Sequence, residues 1–311
     1  MRLLLSLLII GYGFTGGGDT GFCCMFWNVE NLFEGRTHFR DKCNGIAKTI
    51  MLAGDEFGGL PDVVGLAEVE NAAVLRRLTG GTCLRRSDYA IVHYESPDRR
   101  GIDCALLYRR SRFRQVFSKP CHLRDSAGRI LPTRDILLAV LEPLATAGGA
   151  GANVVSGVPP GAGLPSRRCI PESVAVLVNH HPSKVGKDSG RRRAVAMARL
   201  LELRDSLLAE GISRIIAVGD FNEAVAPAAG VDPAYPPGAG TIKFQGRWEK
   251  IDGCPVLEGF SAREHIFAPP CLSEPDRRFT GIKPHRSWSG PRWNGGLSDH
   301  YPIILECLPC N

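Results

Sequence analysis

The chain has 311 residues, 44% hydrophobic and 23% charged, and a formal net charge of +6. This apolar content excludes a disordered polyelectrolyte, and the length supports a core that folds without a disulfide scaffold, as one large domain or two small ones. The positive balance comes mostly from arginine, in clusters such as Arg99-Arg100, Arg109-Arg110, Arg167-Arg168 and Arg191-Arg192-Arg193. Such clusters favour a polyanionic ligand in sum, while each taken alone reads as a solvated face.

In chain order, an apolar run from Leu3 to Ile10 follows Met1-Arg2 and precedes the glycine-rich Gly11 to Gly18. Residues 1–20 therefore resemble a secretory signal peptide and raise the expectation of export, although no small-x-small cleavage site is evident. The run is too short to span a bilayer, so no stable membrane insertion is expected. From Gly21 onward, short runs rich in Val, Ile and Leu alternate with segments of helical period, the pattern of an α/β domain. Strands are predicted at Cys23 to Asn28, Val63 to Ala67, Tyr89 to His93, Cys104 to Tyr108, Ile136 to Val140, Val174 to Val178 and Ile215 to Val218. Helices are predicted from about Asp41 to Leu52, Asn71 to Leu78 and Arg191 to Glu210, with Gly54, Gly80-Gly81 and Gly211 as their stops. The Gly-, Ala- and Pro-rich stretch at about 145–171 reads as a flexible insertion between two strands of a single domain, 21–311. Eleven cysteines is an odd number, so full intramolecular oxidation would leave one over. Cys23 and Cys24 are neighbours in a strand, point to opposite faces and should not pair. Cys307 and Cys310 form a single C-x-x-C with no second pair, which reads as tail cysteines rather than a zinc site.

The chemistry-bearing residues sit at the ends of these strands. Asp220 and Asn222 follow the apolar run Ile215 to Val218 across Gly219, and a period of two turns both side chains the same way. A carboxylate and an amide so placed can hold a metal-bound water, a phosphate oxygen or a nucleophile; an Asx turn ending the strand is the simpler alternative. Asp299-His300 precedes the apolar Tyr301 to Leu305, and a histidine oriented by a carboxylate is the usual acid or base near neutral pH. Glu68 closes a buried strand, where a lone carboxylate is costly unless it meets a cation or hydrogen-bond donors. Asn179, His180, His181 and Lys184 end another strand with groups suited to phosphate, although a histidine doublet also serves as a polar loop entry. Asp252, in Ile251-Asp252-Gly253, is either the acidic partner of a histidine or an ordinary Asp-Gly turn.

Taken together, the ordered set resembles the endonuclease/exonuclease/phosphatase superfamily with the deoxyribonuclease I-like fold. The matching motifs are Phe26-Trp27-Asn28-Val29-Glu30-Asn31, Leu66-Ala67-Glu68-Val69-Glu70-Asn71, Asn179-His180, Gly219-Asp220-Phe221-Asn222, Trp248 with Ile251-Asp252, and Ser298-Asp299-His300. Ser96-Pro97-Asp98-Arg99-Arg100-Gly101-Ile102-Asp103, Pro132-Thr133-Arg134-Asp135 and Asn179-His180-His181-Pro182-Ser183-Lys184 look closest to its bacterial endonuclease-like branch. Six separated motifs in family order rarely coincide by chance.

The resemblance implies a four-layered α/β sandwich, two mixed β-sheets packed face to face with helices outside. It implies an Mg²⁺-dependent phosphoester hydrolase, with Mn²⁺ as a substitute ion, using in-line attack of water. Glu68 would be the principal metal ligand, assisted by Asn28 and Asp299. Asp220 and Asn222 would orient the nucleophilic water and the phosphoryl oxygens, and His300, hydrogen-bonded to Asp252, would be the catalytic histidine. His180 would bind or protonate the phosphate from the other side. Either Asp220 or His300 would remove the proton from water. Arg134, Asn179 and Lys184 would contact substrate phosphate, although a structural salt bridge is as good an account of Arg134; Asp103 and Tyr108 would lie on a strand running toward the pocket. His181 stands where the branch has an aromatic residue, a change expected near the phosphate.

The basic balance makes an endonuclease acting on nucleic acid the leading expectation, working as a monomer. A phosphatase or sphingomyelinase-like phosphodiesterase on lipid headgroups or inositol phosphates is the alternative. A binding protein of the same fold without turnover comes last, because no expected catalytic group is missing.

Overall fold

In a computed structural model, which describes residues 21–144, 173–186 and 188–310, the apolar runs assemble into two sheets. The signal-like segment 1–20 and the insertion at 145–171 lie outside the described residues. The strands in chain order are β1 (Phe22–Leu32), β2 (Val63–Val69), β3 (Tyr89–His93), β4 (Asp103–Arg109), β5 (Phe113–Cys121), β6 (Ile136–Pro143), β7 (Val174–His180), β8 (Arg214–Asp220) and β9 (Val231–Pro233). After these come β10 (Ile242–Phe244), β11 (Arg247–Glu249), β12 (Asp252–Glu258), β13 (Phe260–Ile266), β14 (Ser273–Pro275), β15 (Ile282–Pro284), β16 (Trp288–Ser289), β17 (Arg292–Trp293) and β18 (Ile303–Pro309). The helices are α1 (Phe39–Glu56), α2 (Ala72–Gly80) and α3 (Ser189–Ala209).

The larger sheet has seven strands in the order β3-β4-β2-β1-β18-β13-β9, its partner has five in the order β12-β8-β7-β6-β5, and β10-β11, β14-β15 and β16-β17 form three separate two-stranded sheets. Strand alternation sorts their side chains into three apolar clusters. Phe22, Cys24 and Phe26 of β1 meet Val174, Val176 and Val178 of β7 and Val218 of β8 in the cluster shared by both sheets. Met25, Trp27 and Val29, on the other face of β1, pack against Ile46, Ile50 and Ala53 of α1 and Leu75 and Leu78 of α2. Ala175 and Leu177 of β7 pack against Leu200, Leu203 and Leu207 of α3. The result is the expected sandwich, with the sheets face to face and helices outside. Each large apolar side chain so buried contributes about 1.5–3 kcal/mol relative to exposure.

All seven predicted strands and three predicted helices are present, and their ends differ for local reasons. Gly54 does not stop α1; it lies inside the helix, where a Cβ would be 3.0 Å from Leu60 Cα, so it admits a close chain approach. Asn71 is the cap of α2, its side chain accepting from Ala73 N at 2.8 Å and Val74 N at 3.1 Å. The strand β5 is partly exposed at a sheet edge and so lacks a continuous apolar signal. In β13, Glu264 breaks the alternation, a fully buried carboxylate that meets Lys250 Nζ at 3.0 Å and Tyr235 Oη at 3.0 Å. Cys23 and Cys24 fall in different apolar clusters, and no disulfide occurs among the described residues.

Two parallel pairings align the polar strand ends. Strand β1 runs parallel to β2 with Asn28 beside Ala67, and β7 runs parallel to β8 with His180 beside Asp220. Strand β12 returns antiparallel with Asp252 opposite Asp220. The polar ends of both sheets therefore meet at one edge of the sandwich.

Candidate active site

The strand ends bring Asn28, Glu68, His180, Asp220, Asp252 and His300 together around one carboxylate. Asp220 Oδ2 accepts a hydrogen bond from Asn28 Nδ2 at 3.0 Å and lies 3.6 Å from His180 Nε2 and 3.8 Å from His300 Nε2. Its Oδ1 accepts from the backbone N–H of Asn222 at 2.9 Å. His180 Nε2 is also 3.9 Å from Glu68 Oε1, linking the ends of the two sheets. Behind His300, Nδ1 meets Asp252 Oδ2 at 2.9 Å, and Trp27 Nε1 donates to the His300 carbonyl at 2.9 Å. Ser298 Oγ donates to the Asn28 carbonyl at 2.6 Å and accepts from His300 N at 3.0 Å, which fixes the entry to β18.

The backbone is bent where it presents these groups. Glu30, Asn31, Glu68 and Asn222 all adopt left-handed conformations, with φ of 48°, 55°, 64° and 53°. Glu68 sits at the irregularity that interrupts β2 pairing, and Asn31 N donates to its Oε2 at 2.9 Å. Left-handed backbone costs non-glycine residues about 1–3 kcal/mol each, and such strain concentrates where side-chain direction matters more than stability. Gly219 is needed for another reason: a Cβ there would stand 2.5 Å from Asn179 Cβ.

Burial and charge set different protonation states on the two histidines. Burial disfavours charge on His300, but the carboxylates of Asp252 and Asp220 overcome it and hold the imidazole well above its ordinary pKa. His180 is pushed well below by burial, reinforced by the nearby guanidinium groups of Arg134 and Arg100, and is neutral. Asp220 is pushed up to about 7 by burial and by Asp252.

Behind these groups lies a buried layer that the sequence does not announce. Lys42 is buried; its ammonium donates to Ser287 Oγ at 2.5 Å and to the Glu30 carbonyl, and burial pushes its pKa down to about 8 despite the carboxylates of Glu30, Glu68 and Asp299. Glu30 accepts from Ser287 N at 2.6 Å, and Arg286 Nη2 bridges Glu30 Oε1 at 3.2 Å and Asp299 Oδ2 at 3.0 Å. A helix-borne lysine on an amphipathic pattern carries no signal of such a role. The Phe26 to Asn31 motif contains Glu30, but nothing in that spacing separates it from an ordinary polar residue.

Five carboxylates, Glu30, Glu68, Asp220, Asp252 and Asp299, thus share one edge with three cations, Lys42, Arg286 and His300. An excess of carboxylate oxygens is the donor set of a hard divalent cation. Glu68 and Asp299 offer carboxylate oxygens of that kind, whereas the Asn28 amide oxygen already accepts from Glu30 N at 3.0 Å. Asp220, Asp252 and His300 also converge closely, but the imidazole–carboxylate hydrogen bond occupies the facing atoms of His300 and Asp252.

Other expected residues lie elsewhere. Alternation along β7 turns Asn179 to the face opposite His180, and its amide donates to the carbonyls of Leu177 at 3.0 Å and Val218 at 3.3 Å. Lys184 is half-exposed and paired with Glu249. Arg134 is buried in a salt bridge to Asp98 Oδ2 at 3.2 Å and donates to the His181 carbonyl at 2.5 Å. Asn222 donates to that same carbonyl at 2.9 Å. His181 packs edge-on against Phe221, is held neutral by burial with its pKa down to about 3, and does not stand on the His180 face. Asp103 lies beside Val69 at the site end of β4, whereas Tyr108 lies beside Val63 at the far end, in the inter-sheet core.

Comparison with known proteins gives a consistent picture. Residues 35–144 match the sequence model of the endonuclease/exonuclease/phosphatase family, a span that includes Glu68 and Arg134. An endonuclease/exonuclease/phosphatase family protein from Bacteroides thetaiotaomicron shares the fold with a TM-score of 0.57 at 14% identity, over 95% of this chain and 100% of that one. A mannosyl-6-phosphatase from the same species aligns with a TM-score of 0.56 at 16% identity, over 92% of this chain and 99% of that one. TDP2 from C. elegans aligns with a TM-score of 0.53 at 14% identity, over 93% of this chain and 75% of that one. No curated protein matches the chain in sequence.

Proposed function

We infer that this chain is a member of the endonuclease/exonuclease/phosphatase family and a phosphoester hydrolase, and that it acts as an Mg²⁺-dependent nuclease. The observation that carries the reading is the Asp220 carboxylate, held between Asn28, His180 and His300 at the meeting of the two sheets. Among polyanionic phosphoesters, nucleic acid is favoured by the arginine-rich charge balance. Fold likeness to both a sugar phosphatase and TDP2 leaves the phosphomonoesterase as the second reading.

Each group has a role set by its surroundings. Asp220, with a pKa near 7, is suited to take the proton of an attacking water, and Asn222 N holds its second oxygen in place. His300 carries its proton, oriented by Asp252, and places positive charge where a phosphoryl oxygen gains negative charge. Neutral His180 offers a hydrogen bond to the phosphoryl group without competing for a proton. Glu68 and Asp299 would hold Mg²⁺, which when bound supplies Lewis-acid polarisation of the phosphoryl oxygens.

The test is nicking of supercoiled plasmid by residues 21–311 in Mg²⁺, beside His300→Ala and an EDTA control. Nicking lost in both controls supports the nuclease. A folded protein that leaves plasmid intact but releases phosphate from a sugar or inositol phosphate supports the second reading.

A further inference from the structure

Outside the catalytic cluster, a large concave surface lies along the outer side of α3. It is a cleft of about 750 Å³ whose cationic walls are Arg124 and Arg129 from one loop and Arg191, Arg192 and Arg199 from the helix. A second cleft of about 230 Å³ shares Asp188 and Arg192 with the first and reaches Asp98, Thr133 and Arg134. Arg134 touches the His181 carbonyl and is one of the charges sensed by His180. The two clefts adjoin at Asp188 and Arg192, and the smaller one ends at Arg134.

Charge in this groove is not internally balanced. Arg129 pairs with Asp125 at 2.8 Å and Arg199 with Glu202 at 3.1 Å. Arg193 is tied to Glu223 at 2.9 Å and so belongs to the scaffold. Arg191 and Arg192 have no hydrogen-bonding or ion-pair partner for their side chains among the described residues, and Asp188 is the remaining carboxylate. Both arginines occupy the first turn of α3, which contains no acidic residue, and Asp188 makes no side-chain capping bond. Cations at the positive end of a helix are unfavourable, and an anion bound there reverses the sign. At the other end of the groove, Arg134 is more than nine-tenths buried, yet its Nε has no partner among the described residues while the side chain lines the cleft.

We propose that this groove binds the sugar-phosphate backbone of a polynucleotide outside the scissile bond, with Arg191 and Arg192 as its phosphate contacts. The inference rests on the nuclease reading and adds where the strand runs. Arg192, Val195 and Arg199 recur at helical spacing on one side of α3, and Arg192 to Arg199 spans about 10 Å at 1.5 Å per residue. Guanidinium groups on a regular stripe read phosphate rather than base, so binding is expected to be indifferent to sequence.

The test uses the full chain carrying His300→Ala, with and without Arg191→Ala/Arg192→Ala, binding a fluorescent 20-nucleotide single strand in EDTA. Arg85→Ala/Arg86→Ala, which removes the same charge from exposed positions, is the control. The groove variant should bind about tenfold more weakly near 0.1 M salt, and its slope of log affinity against log salt should fall by about 1.4, at about 0.7 per lost phosphate contact. The control should lose neither. With His300 intact, the groove variant should hydrolyse bis(p-nitrophenyl) phosphate at the unaltered rate. Unchanged oligonucleotide affinity, or an equal loss in the control, would overturn the groove, as would a variant defect seen on anionic vesicles and not on the oligonucleotide. Failure of the unmodified protein to cleave either substrate would overturn the nuclease reading instead, while the binding data still decide the groove.

Discussion

The two sheets contribute opposite kinds of histidine to one site. On the seven-stranded side His300 is backed by Asp252 and faces Asp220, and these carboxylates outweigh the burial that disfavours its charge, so it stays charged. On the five-stranded side His180 is equally enclosed, but burial and guanidinium groups at Arg134 and Arg100 keep it neutral. Asp220 touches both. The same residue type thus becomes a fixed positive charge on one side and a neutral hydrogen-bonding group on the other, and the neighbours decide which.

Removing the carboxylate between the two halves should have the largest effect. Asp220→Asn should lower the hydrolysis rate about 10³-fold or more, in line with general-base loss combined with misplaced charge. The same change should raise the Tm of the metal-free protein at pH 8. A carboxyl held up near 7 in the fold but ionising near 4 when unfolded costs stability as pH rises through that window. A melting series from pH 4 to 8 checks this, and an Asp220→Asn gain present already at pH 4 would contradict the cause given.

Next, Asp252→Asn makes the two sides more alike by removing the strongest support for charge on His300. A loss of about 10²- to 10³-fold is expected, and the alkaline limb of kcat/KM should move to lower pH because the imidazolium now loses its proton sooner. For stability the sign runs the same way. The pair stabilises the fold fully below the unfolded histidine pKa of about 6.5, and this contribution is lost as pH rises through the raised folded value. The stability penalty of Asp252→Asn should therefore be larger at pH 6 than at high pH.

Glu68→Gln should raise the Mg²⁺ concentration for half-maximal rate about tenfold, the scale on which altered metal-site groups act. An unchanged metal titration would remove Glu68 from the ligand set. Lys42→Met tests the buried layer behind it. Removing the buried ammonium takes the donor from the Glu30 carbonyl and from Ser287 Oγ and should destabilise the protein by about 1–3 kcal/mol in urea unfolding, because buried acceptors left without a partner keep their desolvation cost. The smallest effect belongs to Lys184→Ala, whose exposed pair with Glu249 should be worth under about 1 kcal/mol, with the rate changed less than about twofold.

Much of the framework was legible because period-two and helical patterns report directly on burial. Strands such as Val174 to His180, with every residue buried, could hardly be mistaken. The edge strand β5 was not legible: it is only partly buried, so its residues need not be apolar. The site motifs announced which residue types gather at strand ends. They did not say which neighbours share a face, and so Asn179 and His180, adjacent in the motif, stand on opposite sides of one sheet.

What the sequence determined by itself was the alternation of strands and helices and the presence of carboxylates, amides and imidazoles at strand ends, since both are local properties of the chain. The tertiary structure alone decided that Asp220 lies between two histidines of opposite charge state, that Lys42 and Glu30 sit behind the metal-ligand candidates, and that Arg191 and Arg192 open onto a groove. Each of these depends on distances between residues far apart in the chain and on the water that folding removes from around them, which set hydrogen-bond geometry and the effective dielectric.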